Sequence, residues 1–130
     1  MSQQNITTAQ NLYAAFGQGD VPAVLAVFDP QIEWVEPEGS PTPGTYRGPQ
    51  DILEKVLAQF PVVYGPMEII TQDYIDGGDK VVVLGEYRLQ DRSGRPVSAP
   101  FAHVWDIRDG KFTRYQDYTD TTVMAGAAKQ

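Results

Sequence analysis

The chain has 130 residues, of which 42% are hydrophobic, so it is long enough for one domain with a single core. Its net charge of −7 disfavours binding to nucleic acid or to an anionic membrane surface. The absence of Cys excludes disulfides, thiol catalysis and Cys-ligated zinc, and a single His disfavours a His-based metal site. We therefore expect one domain over residues 1–130, without cofactor or metal.

The N-terminal segment carries no positive charge and leads into no apolar run of signal-peptide length. No stretch approaches the roughly 20 apolar residues that a helix needs to cross a bilayer. The sequence therefore predicts a cytoplasmic protein with no membrane partner.

The first part of the chain predicts two amphipathic helices. Apolar residues recur at helical spacing from about Ile6 to Phe16, and two glycines end this helix. Asp20 is placed to cap a second helix. The apolar stripe of the second helix ends at Phe28, and Asp29-Pro30 stops it.

A short strand and a third helix follow. The strand covers Ile32 to Glu36, and the Pro- and Gly-rich segment 37–44 after it predicts a surface loop. Gly48-Pro49 opens the third helix, whose apolar residues recur as far as Phe60, and Pro61 closes it.

The second half of the chain changes to a period of two, which is typical of strands. Turn-forming clusters of Asp, Gly and Ser separate successive runs and predict hairpins. The predicted strands are Met67–Asp76, Lys80–Gln90, Pro96–Ile107 and Lys111–Thr119. The tail from Val123 to Ala128 predicts one more helical turn.

Helices first and an antiparallel meander afterwards indicate an α+β fold. Long strands twist and curl, and three helices cover only one face of such a sheet. We therefore expect a cone-shaped domain with a pocket between the curled sheet and its helices.

Several segments resemble the SnoaL-like polyketide cyclase and ketosteroid-isomerase-like superfamily, which includes nuclear transport factor 2. They span nearly the whole chain: Leu12 to Asp20, Glu33 to Pro37, Tyr46 to Gly48, Phe101 to Trp105, Asp109 to Phe112 and Tyr115 to Thr121. The resemblance implies a nuclear transport factor 2-like (cystatin-like) fold. It does not imply one function, because this fold hosts isomerases, cyclases, epoxide hydrolases, dehydratases and non-catalytic binding modules.

Glu36 is the first candidate catalytic residue. The resemblance places it where the steroid isomerases hold their general-base carboxylate, with Glu in place of the usual Asp. A carboxylate at the rim of an apolar cavity has a raised pKa and is a better base at neutral pH. The alternative is a solvated strand end.

His103 and Asp117 are the other two candidates. His103 shares a strand face with Phe101 and Trp105, and the resemblance, with a one-residue slip, places it where an acid donates to an oxyanion. Asp117 lies in the middle of a strand and matches the base of limonene-epoxide-hydrolase-like and SnoaL-like members. The alternatives are a packed imidazole and an Asp on the solvent face.

The predicted pocket wall consists of aromatic side chains, for which a plain aromatic core is the alternative. They are Trp34, Tyr13, Phe16, Phe101, Trp105 and Tyr115. Alignment through Gly19-Asp20 places Leu12, rather than Tyr13, where steroid isomerases have their oxyanion tyrosine, which argues against steroid isomerisation itself.

Glu86 and Arg88 resemble part of the Asp–Arg–Asp arrangement with which epoxide hydrolases activate water, but here the acidic residue precedes the Arg, which is the reverse order. An exposed salt-bridged pair is the favoured interpretation, and Asp120 is interpreted as a strand-end cap.

The favoured hypothesis is a cofactor-independent acid/base enzyme that abstracts a proton next to a carbonyl of a small hydrophobic molecule, leading to isomerisation or cyclisation. Asp117 or Glu36 would be the base, and His103 would stabilise the enolate oxygen. The alternatives are a non-catalytic small-molecule-binding or dimerisation module and an epoxide-hydrolase-like enzyme. We expect a homodimer in which the far face of the meander, with Val104 and Tyr118, pairs two sheets.

Overall fold

The structure of the chain is a computed structural model that describes residues 2–129. Five α-helices occur in this range, and a short 3-10 turn at Leu57–Gln59 separates the third from the fourth. The helices are α1 (Ser2–Gly17), α2 (Val21–Ala26), α3 (Pro49–Lys55), α4 (Phe60–Tyr64) and α5 (Thr121–Ala127).

The strands of the described range form a single curled sheet in the order β2-β1-β6-β5-β4-β3. Neighbouring strands are antiparallel except β1 and β6, which run parallel. Their bounds are β1 (Phe28–Glu36), β2 (Gly44–Arg47), β3 (Glu68–Asp76), β4 (Lys80–Gln90), β5 (Pro96–Arg108) and β6 (Lys111–Thr119).

Alternation along the strands separates a buried concave face from a half-exposed convex face. In β5 every second residue from Ala99 to Ile107 is buried, and β4 shows the same pattern from Val81 to Leu89. Leu12 of α1, Val24 of α2 and Ile52 of α3 belong to the same buried cluster as these strand residues. The core therefore lies between the concave face and the helices.

The structure confirms the α+β class and the antiparallel meander, whose strand bounds differ from the predicted ones by no more than one residue. The third helix was predicted wrongly as one element. Val56 leaves the helical conformation, with φ of −121°, so α3 ends at Lys55. Pro61 lies in the first turn of α4, where its missing N–H is not needed, rather than after a helix end.

The first strand is longer than predicted, and the edge strand β2 was not predicted. Phe28, Asp29 and Pro30 belong to β1 instead of ending α2, because β1 pairs with β6 from Phe28 onward. The segment predicted as a surface loop buries Ser40 and Thr42. It then leads into β2, which pairs with the end of β1.

Gly85 allows the concave face to close tightly at the centre of β4. A Cβ atom at this position would overlap the carbonyl oxygen of Ile70 and would lie 2.6 Å from Cζ of Phe101. The pairing of β3 with β4 shifts register between Thr71 and Asp73, close to this contact. The bulge and the missing side chain together bring the backbone of β3 and the ring of Phe101 against Gly85.

We predict that Gly85→Ala lowers the free energy of unfolding by roughly 1–3 kcal/mol, because backbone atoms are less able than a flexible side chain to move away from the new Cβ. Guanidinium denaturation followed by tryptophan fluorescence measures this change. Gly126→Ala is the matched control, since a Cβ at Gly126 of α5 meets no atom within 4 Å. Equal stability of the two variants would contradict the prediction.

Candidate functional site

The candidate site lies on the concave face, where four strands place polar side chains among aromatic ones. Strand pairing sets their neighbours, since His103 is paired with Asp117 and Trp105 with Tyr115. On the other side of β6, Trp34 is paired with Tyr115. The alternation predicted from the sequence is correct here, because Trp34, Glu36, His103, Trp105, Tyr115 and Asp117 are all buried.

His103 is the centre of a chain of hydrogen bonds. Its Nδ1 lies 2.5 Å from the hydroxyl of Tyr13, and its Nε2 lies 2.6 Å from the hydroxyl of Tyr87. Tyr87 donates to Oδ2 of Asp117 at 2.7 Å, and the indole N–H of Trp105 donates to the hydroxyl of Tyr13 at 3.0 Å. The ring of Phe101 stacks on His103 with 3.8 Å between centroids. The imidazole is therefore held at both nitrogens and on one face.

An apolar cavity lies between this chain and the helices. It comprises about 420 Å³ of space between its lining atoms, part of it open to solvent. Its lining residues are Leu12, Tyr13, Phe16, Val24, Phe28, Trp34, Leu57, Phe60, Ile69, Tyr87, His103, Trp105 and Tyr115.

A second, smaller cavity contains the two carboxylates. It comprises about 270 Å³ on the same measure and shares Phe60 and Tyr87 with the apolar cavity. The other lining residues are Glu36, Ser40, Tyr64, Met67, Asp117, Thr119 and Met124. The three candidate catalytic residues thus converge, but Glu36 and Asp117 reach a different cavity from the one that His103 lines.

Burial changes the acidity of both carboxylates. It raises the pKa of Glu36 to about 8, and the negative charge of Asp117 adds to this while the hydrogen bond from Trp34 opposes it. Burial likewise raises the pKa of Asp117 to about 7, and the hydrogen bond from Tyr87 opposes it. Both groups therefore exchange protons near neutral pH, where an acid or base catalyst is most effective.

Asp117 has one oxygen left over. Oδ2 accepts from Tyr87, whereas Oδ1 is buried without a hydrogen-bond partner and lies 3.5 Å from Nε2 of His103. The carboxylate oxygens of Glu36 are positioned differently, because Oε2 accepts from the indole of Trp34 at 2.7 Å. An unpartnered buried carboxylate oxygen is available to a ligand or to a transferred proton.

His103 is electrically neutral in the folded protein. Burial holds the pKa of its imidazole well below the usual range. Burial also raises the pKa of Tyr13, Tyr87 and Tyr115 well above the usual range, so these phenols remain protonated. The hydrogen-bonded chain therefore changes its total charge through Asp117 and not through its rings.

Five of the six predicted wall residues line the apolar cavity, namely Trp34, Tyr13, Phe16, Trp105 and Tyr115. Phe101 does not line it. Its ring stacks on His103 and lies against Gly85.

The structure also shows the positions of Glu86, Arg88 and Asp120, which the sequence analysis did not place in the pocket. Glu86 and Arg88 form an exposed salt bridge of 3.2 Å, as the favoured interpretation predicts. Asp120 caps α5, since its side chain accepts from the backbone N–H of Val123.

Tyr87 is the main residue of the candidate site that the sequence analysis missed. Its hydroxyl joins His103 to Asp117, and its ring borders both cavities. The available signal was the alternation in β4, which places Tyr87 on the same face as Val83 and Gly85. Tyr64, from a helix that was not predicted separately, also borders the second cavity.

The comparisons with known proteins agree with this architecture. The family model of the SnoaL-like domain matches residues 9–115. TerC, in a crystal structure co-crystallised with polyporic acid, is 36% identical, with a TM-score of 0.84 over 92% of this chain and 94% of TerC. A nuclear transport factor 2-like protein of unknown function from Burkholderia pseudomallei is 31% identical, with a TM-score of 0.86 over 95% of both chains.

Rv0034, an uncharacterised protein of Mycobacterium tuberculosis, is 23% identical over 88% of this chain and 87% of its own length. The chain belongs to the SnoaL-like domain family and has the nuclear transport factor 2-like fold. Across residues 2–129, none of the helices has both the length and the apolar character needed to span a bilayer.

The two raised carboxyl pKa values predict that stability falls as pH rises from 6.5 to 8. In this window the carboxyl of Glu36 is ionised in the unfolded chain but still protonated in the folded one. The free energy of unfolding therefore falls by about 1.4 kcal/mol per pH unit. The depressed pKa of His103 acts in the opposite direction, but its effect fades above its ordinary value of 6.5. Denaturation at the two pH values should show a loss of about 2 kcal/mol.

Glu36→Gln should remove most of this pH dependence, because Asp117, with a pKa of about 7, contributes over a narrower interval. Glu38→Gln changes an exposed carboxyl on the adjoining loop and should leave the dependence intact. A wild-type stability that does not change across the window would contradict the raised pKa values.

Proposed function

We propose that the chain is a cofactor-independent acid/base enzyme of the isomerase or cyclase type, acting on a small hydrophobic carbonyl compound. The observation that carries the proposal is the chain of hydrogen bonds from Tyr13 through neutral His103 and Tyr87 to Asp117. A binding module requires only the apolar cavity. The buried carboxylates, ready to exchange a proton near neutral pH, favour chemistry over binding alone.

Asp117 is the proposed base. Its pKa of about 7 leaves a large fraction ionised at neutral pH, and Oδ1 is unpartnered. Glu36, with a pKa of about 8, is mostly protonated at the same pH and suits the role of an acid. Different surroundings thus give the two carboxyl groups opposite roles.

The two cavities explain how a substrate meets both binding and chemistry. Phe60 and Tyr87 border both of them, so a substrate that lies against these rings has its apolar body in the aromatic cavity. A C–H bond next to its carbonyl then faces the second cavity, where Asp117 lies. Geometry of this kind replaces a bimolecular proton transfer by a positioned one.

The similarity to TerC supports a small organic ligand. TerC was co-crystallised with polyporic acid, and the 36% identity extends over nearly the whole of both chains. Polyporic acid is therefore a suitable first probe for binding to this chain. Epoxide opening through Glu86 and Arg88 has no such support, because their salt bridge lies on the exposed face.

The proposed activity is tested by hydrogen exchange on α-tetralone, an apolar ketone with acidic hydrogens next to its carbonyl. In heavy water, NMR should show that the wild type accelerates loss of the α-hydrogen signal. Asp117→Asn should lower the rate constant roughly 100-fold or more, since general-base catalysis contributes about 10²–10⁴-fold.

The matched control is Asp73→Asn, which changes an exposed acidic residue of β3 and should leave the rate unchanged. A larger loss with Glu36→Gln than with Asp117→Asn would make Glu36 the base. If the wild type does not accelerate exchange, the proposal of an enzyme for enolisable ketones fails.

The convex face supports a proposal of a homodimer. Its centre is apolar, with Val35, Val82, Leu84, Ala102, Val104 and Tyr118, and Tyr118 is 53% exposed. Positive and negative side chains also lie on this sheet, in the salt bridges Glu33–Arg47, Lys80–Asp106 and Glu86–Arg88. A second copy related by a two-fold axis would cover the apolar centre. It would also place its acidic side chains near the basic ones of the first copy, and the reverse.

Sedimentation velocity tests the homodimer. The wild type should sediment as a dimer, and Val104→Lys should convert it to a monomer because a buried unpaired charge disrupts the interface. Val62→Lys is the control, since Val62 is 59% exposed but lies on α4. A monomeric wild type, or a dimer that tolerates Val104→Lys, would contradict the proposal.

A further inference from the structure

The hydrogen-bonded chain connects the two cavities. Tyr13 lines the apolar cavity, Asp117 lines the second one, and Tyr87 borders both. His103 lies between the two hydroxyls, with one ring nitrogen on each. A continuous path of exchangeable protons therefore runs from the carboxylate to the aromatic wall.

The direction of every hydrogen bond follows from the state of Asp117. When Asp117 is ionised it only accepts, so Tyr87 donates to it and must itself accept from Nε2–H of His103. The neutral imidazole then accepts at Nδ1 from the hydroxyl of Tyr13. In this state the single hydroxyl hydrogen of Tyr13 is bonded to His103 and is not available to a ligand in the apolar cavity.

Protonation of Asp117 reverses the direction of every hydrogen bond between Asp117 and Tyr13. The carboxylic acid donates to Tyr87, which donates to Nε2 of His103, and Nδ1–H donates to the oxygen of Tyr13. The indole of Trp105 also donates to that oxygen. Since Tyr13 now accepts two hydrogen bonds within the protein, its own hydrogen is free to donate to a ligand in the apolar cavity.

We propose that Tyr87, His103 and Tyr13 form a proton wire from Asp117 to the apolar cavity, and that Tyr13 is the catalytic residue that exchanges a proton with a substrate oxygen. Tyr87 and His103 act through Tyr13 and are positioning residues. This goes beyond the sequence prediction, in which His103 itself donates to the oxygen.

The transfer is balanced along the wire. Asp117 gives its proton to the oxygen of Tyr87, and Tyr87 gives its own proton to Nε2 of His103. The Nδ1 proton of His103 passes to Tyr13, and the hydroxyl proton of Tyr13 passes to the substrate oxygen. One proton has moved, Asp117 has become negative, and the substrate oxyanion has become neutral.

The proton wire adds the second proton transfer to the proposed reaction. The substrate that we assign to the wire therefore rests on the proposed function. Asp117 takes a proton from carbon in the second cavity, and the wire delivers a proton to the carbonyl oxygen in the first. The carboxylate is then ionised again, and the enol hydroxyl exchanges its proton with solvent once the product is released. The substrate class this suits is a compact apolar ketone whose oxygen lies against Tyr13 and whose acidic C–H lies beyond Tyr87.

Other titratable groups surround the wire from each packed element, and of these only Glu36 exchanges a proton in the same pH range as Asp117. Glu36 has the higher pKa of the two carboxyls, and burial keeps the phenols protonated. These groups are Tyr13 of α1, Tyr64 of α4, Glu36 of β1, Tyr74 of β3, Tyr87 of β4 and Tyr115 of β6. Of the described residues that line the two cavities, none is Lys or Arg.

The test is a ¹⁵N NMR titration of the ligand-free protein labelled at histidine. The chain contains one His, so its two ring signals belong to His103. We expect protonated Nδ1 below the Asp117 pKa of about 7 and protonated Nε2 above it, without an imidazolium in between. Tyr87→Phe should leave one tautomer at all pH values, since the ring no longer senses Asp117.

Asp117→Asn should also abolish the pH-dependent exchange of tautomers. Tyr118→Phe, which changes the exposed tyrosine of the same strand, and Glu36→Gln should both retain it. A single tautomer throughout the wild-type titration, an imidazolium, or a switch that survives in Tyr87→Phe would overturn the wire.

The wild-type titration tests the wire even if Tyr87→Phe does not fold, because the wire requires the tautomer of His103 to change when Asp117 gains or loses its proton. The titration uses no substrate, so its result is separate from the exchange experiment on α-tetralone. A switching tautomer without ketone exchange retains the wire and rejects the enzyme, and the reverse result rejects the wire alone.

Discussion

Burial of one uncharged imidazole is the constraint on which the concave face depends. A neutral imidazole needs one donor and one acceptor, and His103 finds them in Tyr13 of α1 and Tyr87 of β4. Because one hydroxyl comes from a helix and the other from the sheet, the ring ties the two layers together. The separation of α1 from the sheet, and with it the width of the apolar cavity, is thereby set by a polar contact.

The same layout separates recognition from acid/base chemistry. Aromatic side chains from four strands and two helices form a surface that suits an apolar body, whereas Glu36 and Asp117 lie apart in a smaller space. Low polarity around the carboxylates is what moves their pKa values toward neutral pH.

Much of this arrangement is predictable from the sequence because strand periodicity is local. Alternation alone places Trp34 with Glu36, and Phe101 with His103 and Trp105, on buried faces. The rest depends on contacts between distant segments. Pairing with β6 draws Phe28 to Pro30 into a strand, and packing bends the predicted third helix at Val56. Tyr87 could not be assigned a role because its partners come from two other strands.

The parallel pairing of β1 with β6 has a consequence for how the protein folds. Arg114 and Glu33, which are hydrogen-bonded across this pair, are 81 residues apart in the chain. Contacts of such high sequence separation carry a large loop-closure entropy and slow the folding rate. Since β6 also leaves the ribosome after the other strands of the sheet, Glu36 and Asp117 meet only when all of these strands have been made. A nascent chain that lacks β6 has neither the carboxylate pair nor a covered edge on β1 and β5, and in that interval these exposed edges are open to pairing with other chains.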